Sequence, residues 1–152
     1  MSDGVKTLDF FVAGDPTPQG SKRAFVVKGK PILTESAGDK LRTWRQDVRA
    51  AALEAMKAAQ PEGWRPFTGA VLVWLNFSMR PPKSLPKKVL WPIKRPDLDK
   101  LIRAVLDALG SAGVFKDDSQ VVQLTASKRW PIHSGAGVPG VIVTVAEKPE
   151  TW

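Results

Sequence analysis

Between Arg80 and Pro96 the chain carries five prolines, six basic residues and no acid. Proline fixes φ and lacks a backbone donor, so this stretch is excluded from the interior of a helix or a sheet. It must be a cationic loop, mobile and exposed. The segments on either side of it have different periods. Before it, Val71, Val73, Leu75, Phe77 and Met79 alternate with Leu72, Trp74, Asn76 and Ser78. A period of two predicts a strand over 70–79, and apolar residues on both faces at its start place it inside a sheet. After the loop, Leu98, Leu101, Ile102, Val105 and Leu109 recur at steps of three and four, which predicts a helix over 97–109. Gly110 and Gly113 are expected to end it.

Pro96 disfavours helix for the residue before it, so Asp97 falls where an N-cap is preferred. Asp97 and Asp99 then share the first helical turn, where the macrodipole favours ionised carboxylates. Two carboxylates on that turn form the start of a hard-cation site. Mg²⁺ prefers a few carboxylate oxygens, retained waters and substrate phosphate. The plainer alternative is capping by Asp97, with Asp99, Arg103 and Asp107 as an ion-pair ladder at i, i+4, i+8. Asp117-Asp118-Ser119 likewise reads as a turn or as more of the acidic site. Asp118 can reach the helix start only if the strand that follows it pairs suitably.

The rest of the chain predicts one domain over 1–152. Residues 5–13 read as a strand with Leu8, Phe10 and Val12 on one face. Pro16–Arg23 is a loop, and 24–27 with 31–33 forms a hairpin turning at Lys28-Gly29-Lys30. Residues 36–59 read as a helix, with Ser36 as its cap and Leu41, Trp44, Val48, Ala52, Ala55 and Ala59 as its stripe. Arg42, Arg45 and Arg49 occupy another face. Residues 120–130 and 141–146 read as strands, 131–139 as a loop and 147–152 as a loose tail.

Charge narrows the function. Lysine and arginine number 23 against 15 acids, for a net charge of +8. That favours a polyanion, nucleic acid first. Lys22 and Arg23 on the early loop, with Lys83, Lys87, Lys88, Lys94 and Arg95 on the proline-rich one, are the candidate phosphate contacts. Trp91, among them, either stacks on a base or pins the loop to the core. With no cysteine and a single histidine, His133, thiolate chemistry is excluded and a zinc site or a His-dependent triad has little to rest on. No run is long enough to span a membrane, and MSDGVKTLDF lacks the layout of a signal peptide, so a cytoplasmic protein is expected.

Several motifs occur in a fixed order: Lys94-Arg95-Pro96-Asp97-Leu98-Asp99-Lys100-Leu101, Ala104-Val105-Leu106-Asp107-Ala108-Leu109, Lys116-Asp117-Asp118-Ser119-Gln120-Val121-Val122 and Lys128-Arg129. With the early Pro16–Arg23 loop, this set resembles the RusA family of Holliday junction resolvases. The resemblance implies a small α+β protein, a mixed sheet with two main helices, that forms a homodimer of bacterial or phage origin, binds branched DNA and nicks four-way junctions symmetrically, with Mg²⁺ as cofactor and Mn²⁺ as a substitute. It implies Asp97, Asp99 and Asp118 as metal-binding catalytic carboxylates, with Asp117 ranked below Asp118. Arg103 stands where the family has a catalytic lysine, and Lys100 where it often has asparagine. The rival readings are a non-catalytic basic DNA-binding module and a metal-dependent nuclease for flaps or duplex DNA.

Overall fold

The computed structural model describes residues 6–20, 22–35 and 38–149. In chain order they form β1 (Thr7–Ala13), β2 (Lys22–Val27), β3 (Lys30–Glu35), α1 (Gly38–Ala59), β4 (Val71–Ser78), α2 (Leu98–Ala112), a 3-10 turn (Asp118–Gln120), β5 (Val121–Arg129), α3 (Pro131–Ser134) and β6 (Gly140–Glu147). The main sheet has the order β1-β6-β4-β5, and β2 and β3 pair separately as a hairpin. β6 is antiparallel to both β1 and β4, whereas β4 and β5 are parallel. A parallel pair needs a long crossover, and the proline-rich loop with α2 supplies it.

One face of the sheet is the core. Leu8, Val12, Val71, Val73, Leu75, Phe77, Val141, Val143 and Val145 are buried there. α1 covers it with Leu41, Trp44, Val48, Ala52 and Met56, and α2 with Leu101, Ala104, Val105, Ala108 and Leu109. Full burial of each large aliphatic side chain is worth about 1.5–3 kcal/mol, so this face holds the two layers together. Met56, not Ala59, completes the α1 stripe, because the residue below Ala52 on that face is four positions on. The Ser36 cap lies outside the described residues.

Three sequence expectations change in detail. Gly110 lies within α2 and packs near the Phe115 ring, while Gly113, left-handed at φ 88°, caps the helix. The 131–139 loop opens with the single-turn α3, started by Pro131 at its first position. The hairpin turns on Lys28 and Gly29, both at positive φ, as a two-residue connection requires. One glycine is sterically required: a Cβ on Gly140 would lie 2.1 Å from the Val12 carbonyl oxygen where β6 meets β1.

Candidate metal centre and its basic surroundings

β1, β4 and β5 run in one direction, so their C-terminal ends share one rim of the sheet. The segments that leave this rim are bound to one another. Arg80 pairs with Asp15 at 2.7 Å. The Gln19 amide donates to the Lys100 carbonyl at 2.9 Å, which docks the early loop on the first turn of α2. Lys128 Nζ, at the end of β5, donates to the carbonyls of Lys94 and Pro96 at 3.0 and 2.8 Å. Trp130 Nε1 donates to the Val89 carbonyl at 3.0 Å. Together these elements enclose a cavity of about 650 Å³, with Arg80, Trp91, Lys94, Arg95, Pro96 and Trp130 in its wall.

The two tryptophans divide the roles considered for Trp91. Trp130, 8% exposed, pins the loop to the core. Trp91 is 51% exposed, and the Arg129 guanidinium lies 5.1 Å from its ring centroid. The pinning role fell to Trp130 because its indole N–H reaches a loop carbonyl while its ring stays inside.

Asp97 and Asp99 open α2 on this rim. Asp97 has the extended backbone of an N-cap (φ −70°, ψ 139°), yet its side chain makes no capping hydrogen bond. Its carboxylate is exposed and lies 3.9 Å from Lys100 Nζ. Asp99 is exposed in the same first turn. Among the described residues no ion pair joins Arg103 to Asp99 or Asp107. Neither the capping role nor the ion-pair ladder therefore occupies these groups. Carboxylate oxygens not spent on backbone amides suit a hard cation, and this pair fits the one or two carboxylates by which Mg²⁺ is usually held.

Asp118 lies elsewhere. α2 runs back toward the start of β4, and Gln120 Nε2 donates to the carbonyls of Phe67 and Gly69 just ahead of that strand. This fixes the 3-10 turn at the opposite rim of the sheet. The two acids of the pair behave differently there. Asp117 caps the turn: it accepts from the Ser119 amide at 2.9 Å, and Gln120 Oε1 accepts from the Asp117 amide at 2.9 Å. The Ser119 amide and the neighbouring Asp118 hold the Asp117 carboxyl below its ordinary pKa. Asp118 is raised, first by the hydrogen bond it shares with Asp117, then by desolvation and by the charges of Asp117 and Asp107. Asp118 makes no capping bond and projects into solvent.

The structure thus brings Asp97 and Asp99 together with Lys94, Arg95 and Lys128, and leaves Asp118 across the sheet. Among the described residues no three metal-ligating side chains meet. Lys83, Lys87 and Lys88 are exposed along the loop. Lys22 and Arg23 open β2, three residues beyond the docked Gln19, and their side chains are outside the described set. Sequence reasoning missed the positioning role of Lys128. Its signals were a basic pair at a strand end and a place in the ordered motif set, and neither says which backbone the side chain would hold. Among the described residues no helix is long and apolar enough to cross a membrane.

A family model described as endodeoxyribonuclease RusA matches residues 13–146. The uncharacterized protein YqaN of Bacillus subtilis strain 168 is 32% identical over 131 residues, covering 80% of this chain and 86% of that protein.

Proposed function

The chain belongs to the RusA endodeoxyribonuclease family, and from that premise we propose that it is a Mg²⁺-dependent nuclease that resolves four-way DNA junctions as a homodimer. Its expected setting is recombination and repair in a bacterial cytoplasm, or a host's if phage-encoded. The observation that carries this reading is the uncapped Asp97 carboxylate. It stands beside Asp99 at a helix start, on the rim where the basic loops converge. A DNA-binding module that used these acids as caps would have spent them on backbone amides.

In this reading Asp97 and Asp99 of one protomer are metal ligands, and Asp118, which lies across the sheet from them, contributes to the site from the other protomer of the homodimer. A Mg²⁺ ion held by these carboxylates, or Mn²⁺ in its place, would supply Lewis acidity for the hydrolysis. Lys128 holds the turn that carries Asp97. Arg103, one helical turn after Asp99, presents a planar fork of donors to the scissile phosphate. Arginine stays protonated, so it stabilises charge without moving a proton. Lys22, Arg23, Lys83, Lys87, Lys88, Lys94 and Arg95 neutralise the phosphates of the junction arms. The exposed face of Trp91 offers a stacking surface to an unpaired base.

The test is cleavage of a panel of junction, flap, fork and duplex DNA, with Mg²⁺ and with EDTA. Paired nicks in the junction, abolished by EDTA, are expected. Binding without Mg²⁺-dependent cleavage would leave a DNA-binding module, and preferential cutting of flaps or duplex would replace the junction as substrate.

A further inference from the structure

Arg42, Arg45 and Arg49 take no part in the site described above. They recur at steps of three and four on α1, so they share one flank of that helix, beside the buried Leu41, Trp44 and Val48. α2 meets this flank with Ala108 and Ser111. These short side chains leave an open groove of about 550 Å³ between the two helices, walled by the three arginines and Gln46. From Asp97 to Ala108, or from Asp99 to Ser111, α2 rises roughly 16–18 Å, which is the distance of the groove from the acidic first turn.

The groove holds more positive charge than the protein answers. Arg42 pairs with Asp39 at 3.0 Å. Among the described residues no carboxylate pairs with Arg45 or Arg49, and neither guanidinium makes a hydrogen bond. Arg45 is nonetheless half-buried there. Like charges at this spacing repel, and a guanidinium taken partly out of water needs a partner. Asp107, one turn before Ser111, pairs with none of the three. The last turn of α2 carries no basic residue, and its macrodipole offers about half a negative charge against three guanidiniums. The missing counter-charge suits phosphate. Each arginine fork takes two oxygens of one phosphate, and the Ser111 hydroxyl adds a donor. From Arg42 to Arg49 the row is roughly 10 Å long, against a rise of about 3.4 Å per nucleotide along a DNA strand, so it spans at least two successive phosphates.

We propose that the groove between α1 and α2 is a second phosphate-binding site, which grips the backbone of a DNA arm as it leaves the carboxylate site. The choice of DNA as the source of the phosphates rests on the nuclease reading, whereas the groove's affinity for phosphate does not. The distance sets where on the arm the contact falls. At about 3.4 Å per nucleotide, 16–18 Å corresponds to about five nucleotides from the branch point. Contacts of this kind fix the register and direction of the arm and carry no base sequence.

The test compares wild type with an Arg45→Ala/Arg49→Ala variant by fluorescence anisotropy in EDTA, where no strand is cut. The variant should bind a four-way junction on the order of tenfold more weakly, with a log–log salt slope smaller by about two units. Arg45→Lys/Arg49→Lys, which keeps the charge, should restore most of that slope. Neutral methylphosphonate linkages are then walked along each arm. Wild type should lose affinity when the linkage lies about five nucleotides from the branch point, and the alanine variant should be indifferent to that position. Thermal melting is measured beside binding. A lower midpoint with unchanged affinity and salt slope would make the arginines structural and overturn the proposal. So would a wild type indifferent to the methylphosphonate, or a variant as sensitive to it as wild type. Calorimetric binding of inorganic pyrophosphate by the wild type alone, with no difference between the proteins on DNA, would overturn DNA as the occupant. If the position-specific loss is seen but the wild type cuts no DNA in Mg²⁺, the nuclease reading falls and the groove stands.

Discussion

Lys128 Nζ lies 2.8 Å from the carbonyl oxygen of Pro96, the residue that precedes Asp97. A side chain at the end of one strand thus holds the turn from which the helix carrying Asp97 and Asp99 starts. Such supporting hydrogen bonds typically matter ten- to a hundredfold to a metal site although they touch no metal. Lys128→Met should keep the fold and most junction affinity while lowering Mn²⁺ affinity and the cleavage rate by about that factor. Calorimetric Mn²⁺ titration beside single-turnover cleavage checks it. Unchanged values in both would reduce Lys128 to a loop tether.

The three carboxylates give a sharper pattern. Asp97→Asn, Asp99→Asn and Asp118→Asn should each abolish cutting and leave junction binding equal or tighter, because an amide is a poor Mg²⁺ ligand and a negative charge beside DNA has gone. Asp117 should behave differently, since its carboxylate accepts from the Ser119 amide. Asp117→Asn keeps an acceptor and should cut nearly as fast as wild type. Asp117→Ala should lower the thermal midpoint by a few degrees through loss of the cap. An inactive Asp117→Asn beside an active Asp118→Asn would exchange the two roles.

Much of this was legible before the fold. The period-two run of β4 and the stripe of α2 are local patterns backed by burial on one face, and such patterns survive into the structure. The position of Asp97 at a helix start was legible from Pro96 and the stripe. Whether its side chain capped the helix was not, because that depends on competing partners such as Lys100. The placement of Asp118 was not legible either. It turns on β5 pairing parallel to β4, a choice made by the crossover and by the burial of Val73, Leu75 and Phe77 in the core. Trp91 and Trp130 are alike in sequence, and only the reach of one indole to the Val89 carbonyl separates them.

The proline-rich loop should govern affinity and not chemistry. Lys87 and Lys88 are exposed. Replacing both with alanine should weaken binding to junctions of every sequence alike. It should also flatten the log–log salt dependence by roughly one unit per lost phosphate contact. Cleavage of saturated junction should stay within a few-fold of wild type. Fluorescence anisotropy across a salt series measures the slope, and an unchanged slope would mean these lysines never meet phosphate.

Arg103 is the remaining test of the chemistry. It shares a face of α2 with Asp99, four residues earlier. As a structural partner it would hold an ion pair there, worth about 0.5 kcal/mol on an exposed helix. No such pair forms with Asp99 or Asp107 among the described residues, and the guanidinium is left exposed one turn from the two carboxylates. In the proposed reaction a cation placed one turn after Asp99 is suited to meeting charge that develops only in the transition state. Loss of one such group costs on the order of 3 kcal/mol of barrier, a hundredfold or more in rate. Arg103→Ala should therefore fold and bind junctions as wild type does, yet cut at least a hundredfold more slowly once bound. Arg103→Lys should recover much of that loss, because a point charge at this place still faces the phosphate, though without the bidentate fork. Single-turnover cleavage of pre-bound junction by the three proteins decides it. An alanine variant within a few-fold of wild type would remove Arg103 from the reaction and leave the carboxylates and their metal to carry it.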